Sequence, residues 1–360
     1  MSVKLFPNLK ENSNVKTVEY PYKLQSVLKD TIAPNSLPSS SPPSSSSPPI
    51  KYIEFNKAKF ATLTWPSSIT NNGSSTSSCP KCRIFIVHGF GEYSKLYYKL
   101  MDQLSLQGVE CFFFDQRGAG YTSPGNLKGK TDEYHTFNDL DHFLKLYIDD
   151  NNKKDRNSGS DKKIPLYLYG HSMGGGIILN YGIHGKYKQS IDGIIATGPL
   201  ILLHPHTRPN ALVLKCSWLI SKMLGNVQLD TGLDIDGVTG DSKFREYLIN
   251  DFPNATPCVG SFRQIYDFLI RGMYLVDSRN ETEINKNMIK KPLLILCGDK
   301  DSINDYKASV KFVKEVLSEE SSGNSLRNVK TYPGGRHSLH IDREEIFQML
   351  LKDILKFVEN

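Results

Sequence analysis

Ile164-Pro165-Leu166-Tyr167-Leu168-Tyr169 runs into Gly170-His171-Ser172-Met173-Gly174-Gly175, and a second apolar run, Ile177-Ile178-Leu179, follows. That order reads as a buried strand, a very tight turn and a helix, with Ser172 at the tip of the turn. Gly170 and Gly174 stand two residues either side of the serine, the G-x-S-x-G spacing of a nucleophile elbow. The spacing has a steric cause: side chains two residues from a serine on so sharp a turn would collide with it. The helix that follows aims its unpaired amide N–H groups at the reaction site, where they can bind a developing oxyanion. The alternative, a glycine-rich helix start that only packs closely on a sheet, carries no chemistry.

Working outward, apolar strand patterns at 83–87, 109–114, 191–196, 292–297 and 329–332 alternate with helical patterns at 94–107, 138–148, 306–317 and 341–358. Such alternation predicts an α/β protein with a mostly parallel central sheet flanked by helices. Residues 51–55 and 60–65, with Asn56-Lys57 between them, predict a hairpin. Residues 151–163 read as a polar loop. The alternation stops at Gly198-Pro199 and resumes near residue 286. Residues 51–199 and 286–360 are therefore expected to be two parts of one core, interrupted by an insertion at 200–285. Residues 1–50 form a variable N-terminal segment. Within it, 36–49 is nearly all Ser and Pro and cannot bury enough apolar area to offset its ordering entropy. That stretch and the Ser/Asn/Gly-rich 67–78 predict surface loops.

At 360 residues, 39% hydrophobic and 23% charged, the composition is that of a soluble globule with a sizeable core. The excess of 44 basic over 38 acidic residues is too small and dispersed to indicate a nucleic-acid partner. Six scattered cysteines are no disulfide framework, and Cys79-Pro-Lys-Cys82 lacks the second pair that a zinc site needs. Neither a signal pattern nor a membrane-length apolar run is present, so the expected location is intracellular and not secreted.

A serine hydroxyl needs a histidine base and a carboxylate to orient that base. In a strand–elbow architecture the chain order is serine, acid, histidine. The acid must follow a later strand, which leaves the loop 298–305 with Asp299, Asp301 and Asp305. Beyond it only His337 and His340 remain, in Gly334-Gly335-Arg336-His337-Ser338-Leu339-His340. The residues alone leave these choices open. Met173, after the nucleophile, and Phe90, after the His88-Gly89 that ends a strand, are candidate amides for an oxyanion hole. His88 and His171 beside glycine turns, and Asp115 and Arg117 at a strand end, read as structural.

Several motifs carry a resemblance: the elbow itself, His88-Gly89-Phe90-Gly91-Glu92, Asp115-Gln116-Arg117-Gly118-Ala119-Gly120, Gly298-x-x-Asp301 and Gly334-Gly335-Arg336-His337. With them the chain resembles α/β-hydrolases of the monoacylglycerol lipase family, most closely the yeast-type enzymes. The likeness extends through Tyr20-Pro21-Tyr22-Lys23, Thr231-Gly232-Leu233-Asp234 and Ser261-Phe262-Arg263-Gln264-Ile265, and so covers nearly the whole chain from Tyr20 on. It implies an α/β-hydrolase fold with a helical cap or lid, Ser172 as nucleophile, Asp301 as orienting acid and His337 as base. It also implies an oxyanion hole of the Phe90 and Met173 amides, with no metal or organic cofactor. Glu92 and His340 become candidates for reading the glycerol diol. Animal members carry arginine where Leu96 stands here, so their glycerol-end contacts do not all transfer.

The insertion holds Ala211-Leu212-Val213-Leu214-Lys215-Cys216-Ser217-Trp218-Leu219-Ile220-Ser221-Lys222-Met223-Leu224. This segment is too short to span a bilayer and suits a buried or interfacial helix. Leu214, Trp218 and Leu219 are the expected lipid-facing residues of a lid, with Lys215 and Lys222 on one edge. The expected activity is hydrolysis of monoacylglycerol, with peripheral contact to a lipid droplet or to the endoplasmic reticulum or another membrane. Pocket shape sets specificity, so a lysophospholipase, a broad carboxylesterase or a fatty-acid ester hydrolase would share this triad. A non-catalytic lipid-binding protein on the same fold is the reading from a different class.

Overall fold

Segments that read as continuous apolar runs become strands buried on both faces, and segments of mixed character become the edges. The computed structural model describes residues 4–5, 19–26, 47–68, 79–157, 163–250, 258–317 and 326–359. After a short strand β1 (Lys4–Leu5), the chain forms β2 (Lys51–Phe55), β3 (Ala58–Trp65), β4 (Cys82–Val87), β5 (Val109–Phe114), β6 (Leu166–His171) and β7 (Gly193–Thr197). Later come β8 (Gln228–Asp230), β9 (Val259–Ser261), β10 (Leu293–Gly298) and β11 (Arg327–Tyr332). Eight of these form the central sheet in the order β11-β10-β7-β6-β4-β5-β3-β2. The run from β11 to β5 is parallel throughout; β3 pairs antiparallel with β5, and β2 with β3. Every residue of β4 to β7 and of β10 is buried, whereas β2 and β11 carry exposed positions. The sheet is the mostly parallel one expected. Its hairpin turns on Asn56 and Lys57, at φ 44° and 63°, a pair of positive values that suits the twist of two antiparallel strands.

The pleat sends alternate residues to opposite cores. Phe85 and Val87 join a cluster with Phe143, Leu144 and Ile178; Ile84 and Ile86 join one with Leu100, Leu104 and Phe347. The helices covering these faces are α1 (Tyr98–Leu106), α2 (Glu133–Asn157), α3 (Met173–His184) and, later, α9 (Tyr306–Lys311) and α10 (Glu344–Glu359). Several bounds differ from expectation. A 3-10 turn, Ser94–Tyr97, precedes α1, and α9 continues as a wider π turn, Phe312–Val316. Residues 151–157, read as loop, extend α2: the run has no glycine or proline to stop it, and an i,i+4 pair, Lys145–Asp149, braces the preceding turn.

The insertion contains α4 (Ala211–Met223), β8, α5 (Ile235–Val238), α6 (Ser242–Asn250), β9, α7 (Phe262–Tyr274) and α8 (Glu281–Asn287). Asn210 caps α4 by accepting from the Val213 amide, and Ser261 caps α7 by accepting from Gln264. Strands β8 and β9 pair antiparallel, and β1 joins as a third strand, Lys4 opposite Asp230. The N-terminal segment is tied down again at Asp102, whose carboxylate accepts from the Tyr22 hydroxyl and from the Gln25 and Ser26 amides at 2.7–2.9 Å. Of the two expected surface loops, 36–46 and 69–78 lie outside the described residues. Among the described residues no helix is long and apolar enough to cross a membrane.

Candidate active site

Ser172 joins β6 to α3 at φ 53°, ψ −119°. Among the described residues, only the two hairpin-turn residues share a positive φ without being glycine. A side-chain residue pays conformational energy to sit there. The flanking glycines have a measurable reason. A Cβ on Gly174 would lie 2.0 Å from the Val87 carbonyl oxygen, and one on Gly170 would lie 2.5 Å from the Gly174 carbonyl oxygen. Close approach of α3 to β4 and β6 is thus what the G-x-S-x-G spacing secures.

The end of β10 and the loop after β11 bring the partners. His337 Nε2 lies 2.9 Å from Ser172 Oγ, and His337 Nδ1 lies 2.8 Å from Asp301 Oδ2. The other Asp301 oxygen accepts the Ile303 and Asn304 amides at 2.9 and 2.8 Å, so the carboxylate is held from both sides. Serine, histidine and aspartate are 8%, 4% and 4% exposed, which keeps water away from the relay. Burial works to lower the His337 pKa, but the Asp301 carboxylate, aided by Glu92, outweighs it and holds the imidazole above its ordinary 6.5.

The alternatives that the order rule left open go elsewhere. Asp299 accepts the Gly334 amide at 2.7 Å, and Asp305 caps α9 through Lys307. His340 is fully buried; it stacks on Tyr97 with ring centroids 4.4 Å apart, and among the described residues neither of its nitrogens has a partner. Glu92 sits beneath the Gly89–Phe90 loop. It accepts the Gly89 amide at 2.6 Å and the Tyr97 hydroxyl at 2.5 Å, and its other oxygen is 3.4 Å from His171 Nε2. The two residues considered as diol readers therefore share the layer below the oxyanion loop. Nothing in the sequence pointed to Tyr97, or to Ser338, whose hydroxyl meets His171 Nε2 at 3.0 Å. Both are reached only through tertiary contacts.

The loop ahead of the elbow is equally fastened. His88 Nε2 accepts the Gln116 amide at 2.8 Å, and the Gln116 side chain donates to the His88 carbonyl at 2.6 Å. Asp115 accepts the Ser94 and Tyr121 amides, and Arg117 is held by Asp139 through two hydrogen bonds, at 2.7 and 2.9 Å. Burial pushes His88 down to about 4 and both His171 and His340 down to about 3, so all three are neutral in the fold. Among the described residues, neither the Phe90 nor the Met173 amide donates to a protein acceptor, while the Ser172 amide is bonded to Thr197 O. The two free amides belong to the residues expected to form the oxyanion hole.

Of the expected lipid-facing residues, Trp218 and Leu219 are 54% and 50% exposed, and Met223, not foreseen, is 74%. Leu214 is only partly exposed, and the Lys215 side chain lies outside what is described. A small cavity of about 10 Å³, room for one water, lies against Met173. The buried oxygens Thr131 Oγ1 and Gln264 Oε1, which have no partner among the described residues, belong to residues that line it.

A strained serine between a parallel strand and a helix, bonded to a histidine that a carboxylate orients, defines a serine hydrolase of the α/β-hydrolase class. Residues 78–344 match the sequence model of the family described as serine aminopeptidase, S33. The chain is 42% identical to the monoglyceride lipase of Saccharomyces cerevisiae over 342 residues, 94% of this chain and 96% of that protein. It is 32% identical to a putative monoglyceride lipase of Schizosaccharomyces pombe, over 76% of this chain and 66% of that one. The crystal structure of a soluble variant of the Saccharomyces enzyme with a substrate analog superposes at a TM-score of 0.75, covering 90% of this chain and 98% of that chain. This chain belongs to the monoglyceride lipase family of α/β-hydrolases.

Proposed function

We propose that this protein hydrolyses monoacylglycerols to fatty acid and glycerol through an acyl-enzyme on Ser172. The observation that carries the chemistry is the Ser172–His337–Asp301 relay, at 2.9 and 2.8 Å. The substrate rests on identity of 42% across 96% of a relative named monoglyceride lipase.

Asp301 fixes the tautomer in which His337 Nδ1 carries the proton, so Nε2 faces the serine as a base. Ser172 attacks the ester carbonyl as its proton passes to Nε2. The carbonyl oxygen, now negative, is received by the Phe90 and Met173 amides, which the fold leaves unbonded and therefore need not reorganise. The imidazolium then protonates the leaving glycerol oxygen. Water, giving its proton to the same nitrogen, cleaves the acyl-enzyme. No step calls for a metal or organic cofactor.

The insertion at 200–285 serves as a lid, and α4 meets a lipid surface. Val213, Trp218, Leu219 and Met223 on α4, and Leu224 just after it, are all 47% or more exposed, more apolar surface than one helix leaves in water without use. On this reading the protein is intracellular and binds a droplet or membrane peripherally.

Turnover of mono-, di- and triacylglycerol and of lysophospholipid by the purified chain, beside Ser172→Ala, tests the assignment. Monoacylglycerol is expected to be cleaved fastest, and the alanine variant to lose both turnover and fluorophosphonate labelling. Faster turnover of lysophospholipid, or an unlabelled wild type, would overturn it.

A further inference from the structure

At the carboxyl end of α4 a wide groove of about 840 Å³ opens to solvent, lined by Lys130, Lys222 and Arg263 together with Asp132, His135 and Gln228. Its basic side chains outnumber its carboxylates: among the described residues Asp132 is the one acidic residue lining it, and Asp267, four residues on from Arg263, feels that arginine's charge. Arg117, at its inner end, is already engaged by Asp139, and the Asp132 carboxylate is engaged by His135 at 2.8 Å. Among the described residues, none of Lys130, Lys222 and Arg263 has a carboxylate within ion-pair distance. Lys222, in the last turn of α4, offsets that helix's negative end, but Lys130 and Arg263 come from other elements and have no such duty. Arg263 is seated by its own amide, which donates to the Gly225 carbonyl at 3.1 Å.

One wall of the groove is apolar: Met223 and Leu224, which line it, are 74% and 50% exposed. Nearby, the exposed Leu127 lies between Asn126 and Lys128, whose carbonyls accept from the Gln228 side chain that lines the groove. A soluble anion has no use for such a wall. The surface of a bilayer presents phosphate and acyl chain within a few ångströms of each other, which matches both features.

We propose that this groove binds the phosphate-bearing headgroup of an anionic membrane lipid while the residues of its apolar wall enter the acyl region. The proposal rests on the reading that α4 meets a lipid surface, and adds the lipid class and the residues that choose it. Arg117, Thr131 and Asp132 line both the groove and the cavity against Met173. A headgroup seated here thus lies against residues that also border the cavity beside Met173.

The test is co-sedimentation of the full chain with vesicles of phosphatidylcholine alone and of phosphatidylcholine with phosphatidylserine, for wild type and for Lys130→Gln/Lys222→Gln/Arg263→Gln. Wild type is expected to bind the anionic vesicles roughly 100-fold more tightly at low salt, three cations each contributing, and to lose the preference at high salt. The triple variant is expected to bind both vesicles alike while hydrolysing a short soluble ester at the wild-type rate, which shows that it is folded. Equal binding of wild type to both vesicles, or an undiminished preference in the variant, overturns the proposal and leaves the lipid-surface reading standing. Binding to neither vesicle overturns both. Displacement from anionic vesicles by millimolar inorganic phosphate, at unchanged ionic strength, would make the groove a site for the free ion and overturn the lipid assignment.

Discussion

The Glu92 carboxylate accepts the Gly89 amide proton at 2.6 Å, and so holds from below the loop that carries the Phe90 amide, a proposed oxyanion donor. The same oxygen takes the Tyr97 hydroxyl at 2.5 Å, which braces the carboxylate against the core. Glu92 is thereby proposed as a positioning residue for the proposed oxyanion hole. Glu92→Ala is expected to lower kcat by about 100-fold, the cost of losing one aligned donor, with a much smaller change in KM. Steady-state kinetics on a monoacylglycerol would show this, and a change confined to KM would refute it.

Glu92 also acts on His337 through its charge. The His337 pKa is raised above 6.5, and the base is active only when neutral, so kcat/KM rises as pH climbs through that raised value. Removing the negative charge in Glu92→Gln lowers the His337 pKa and moves the acidic limb of the profile to lower pH. For stability the sign is opposite. A raised histidine pKa stabilises the fold fully below about 6.5 and loses that contribution as pH rises through the folded value. A pH–rate profile of the two proteins measures the first effect directly; an unmoved limb would argue against the coupling.

Asp301 and Asp299 stand two residues apart on one loop but have different work. Asp301→Asn leaves a carboxamide that favours the wrong imidazole tautomer, and kcat is expected to fall by about 10⁴-fold. Asp299 only accepts the Gly334 amide at 2.7 Å, a bond an asparagine oxygen can keep, so Asp299→Asn is expected to retain most activity. Ester hydrolysis by the two variants separates these roles, and the reverse ranking would exchange them.

His340 is a buried imidazole with both nitrogens unpartnered among the described residues, stacked on Tyr97 and held near 3 by burial. An unfolded chain binds a proton there below about 6.5, whereas the fold does not, so this residue makes stability fall as pH drops. His340→Phe keeps the stacking and removes both the orphaned atoms and the titration. The variant is expected to gain stability over wild type on going from pH 8 to pH 5, by about 1.4 kcal/mol for each pH unit below 6.5. Denaturant melts at the two values measure it; a gain independent of pH would show that His340 does not titrate on unfolding.

On α4, Trp218→Ser and Leu219→Ser are expected to depress turnover of dispersed monoacylglycerol several-fold while sparing a short soluble ester, since both side chains are half exposed and neither touches the triad. Equal losses on the two substrates would remove the interfacial role proposed for α4.

How much of this was legible beforehand depends on the range of the interaction. The elbow was readable because its constraint is local: Gly170 and Gly174 must lack side chains within two residues of Ser172, whose φ of 53° marks the strain. Strand and helix alternation was readable for the same reason, since burial on both faces writes itself into apolar runs. Helix ends were read less well. The polar stretch 151–157 gave no sign that α2 would continue through it, because polarity alone stops nothing.

The sequence by itself determined a mostly parallel α/β scaffold, pointed to Ser172 as the nucleophile, and narrowed the candidate acid to three aspartates and the candidate base to two histidines. The motif resemblance then pointed to Asp301 and His337. Tertiary structure decided the geometry: Ser172 and His337 meet across 165 positions of chain, and His337 and Asp301 across 36. It also turned Glu92 under the oxyanion loop, sealed His340 against Tyr97 and gathered Lys130, Lys222 and Arg263 around one groove. The physical reason is the same in each case. A hydrogen bond or a shared charge field depends on distances in space that spacing along the chain does not encode, whereas a turn too tight for a side chain does encode itself.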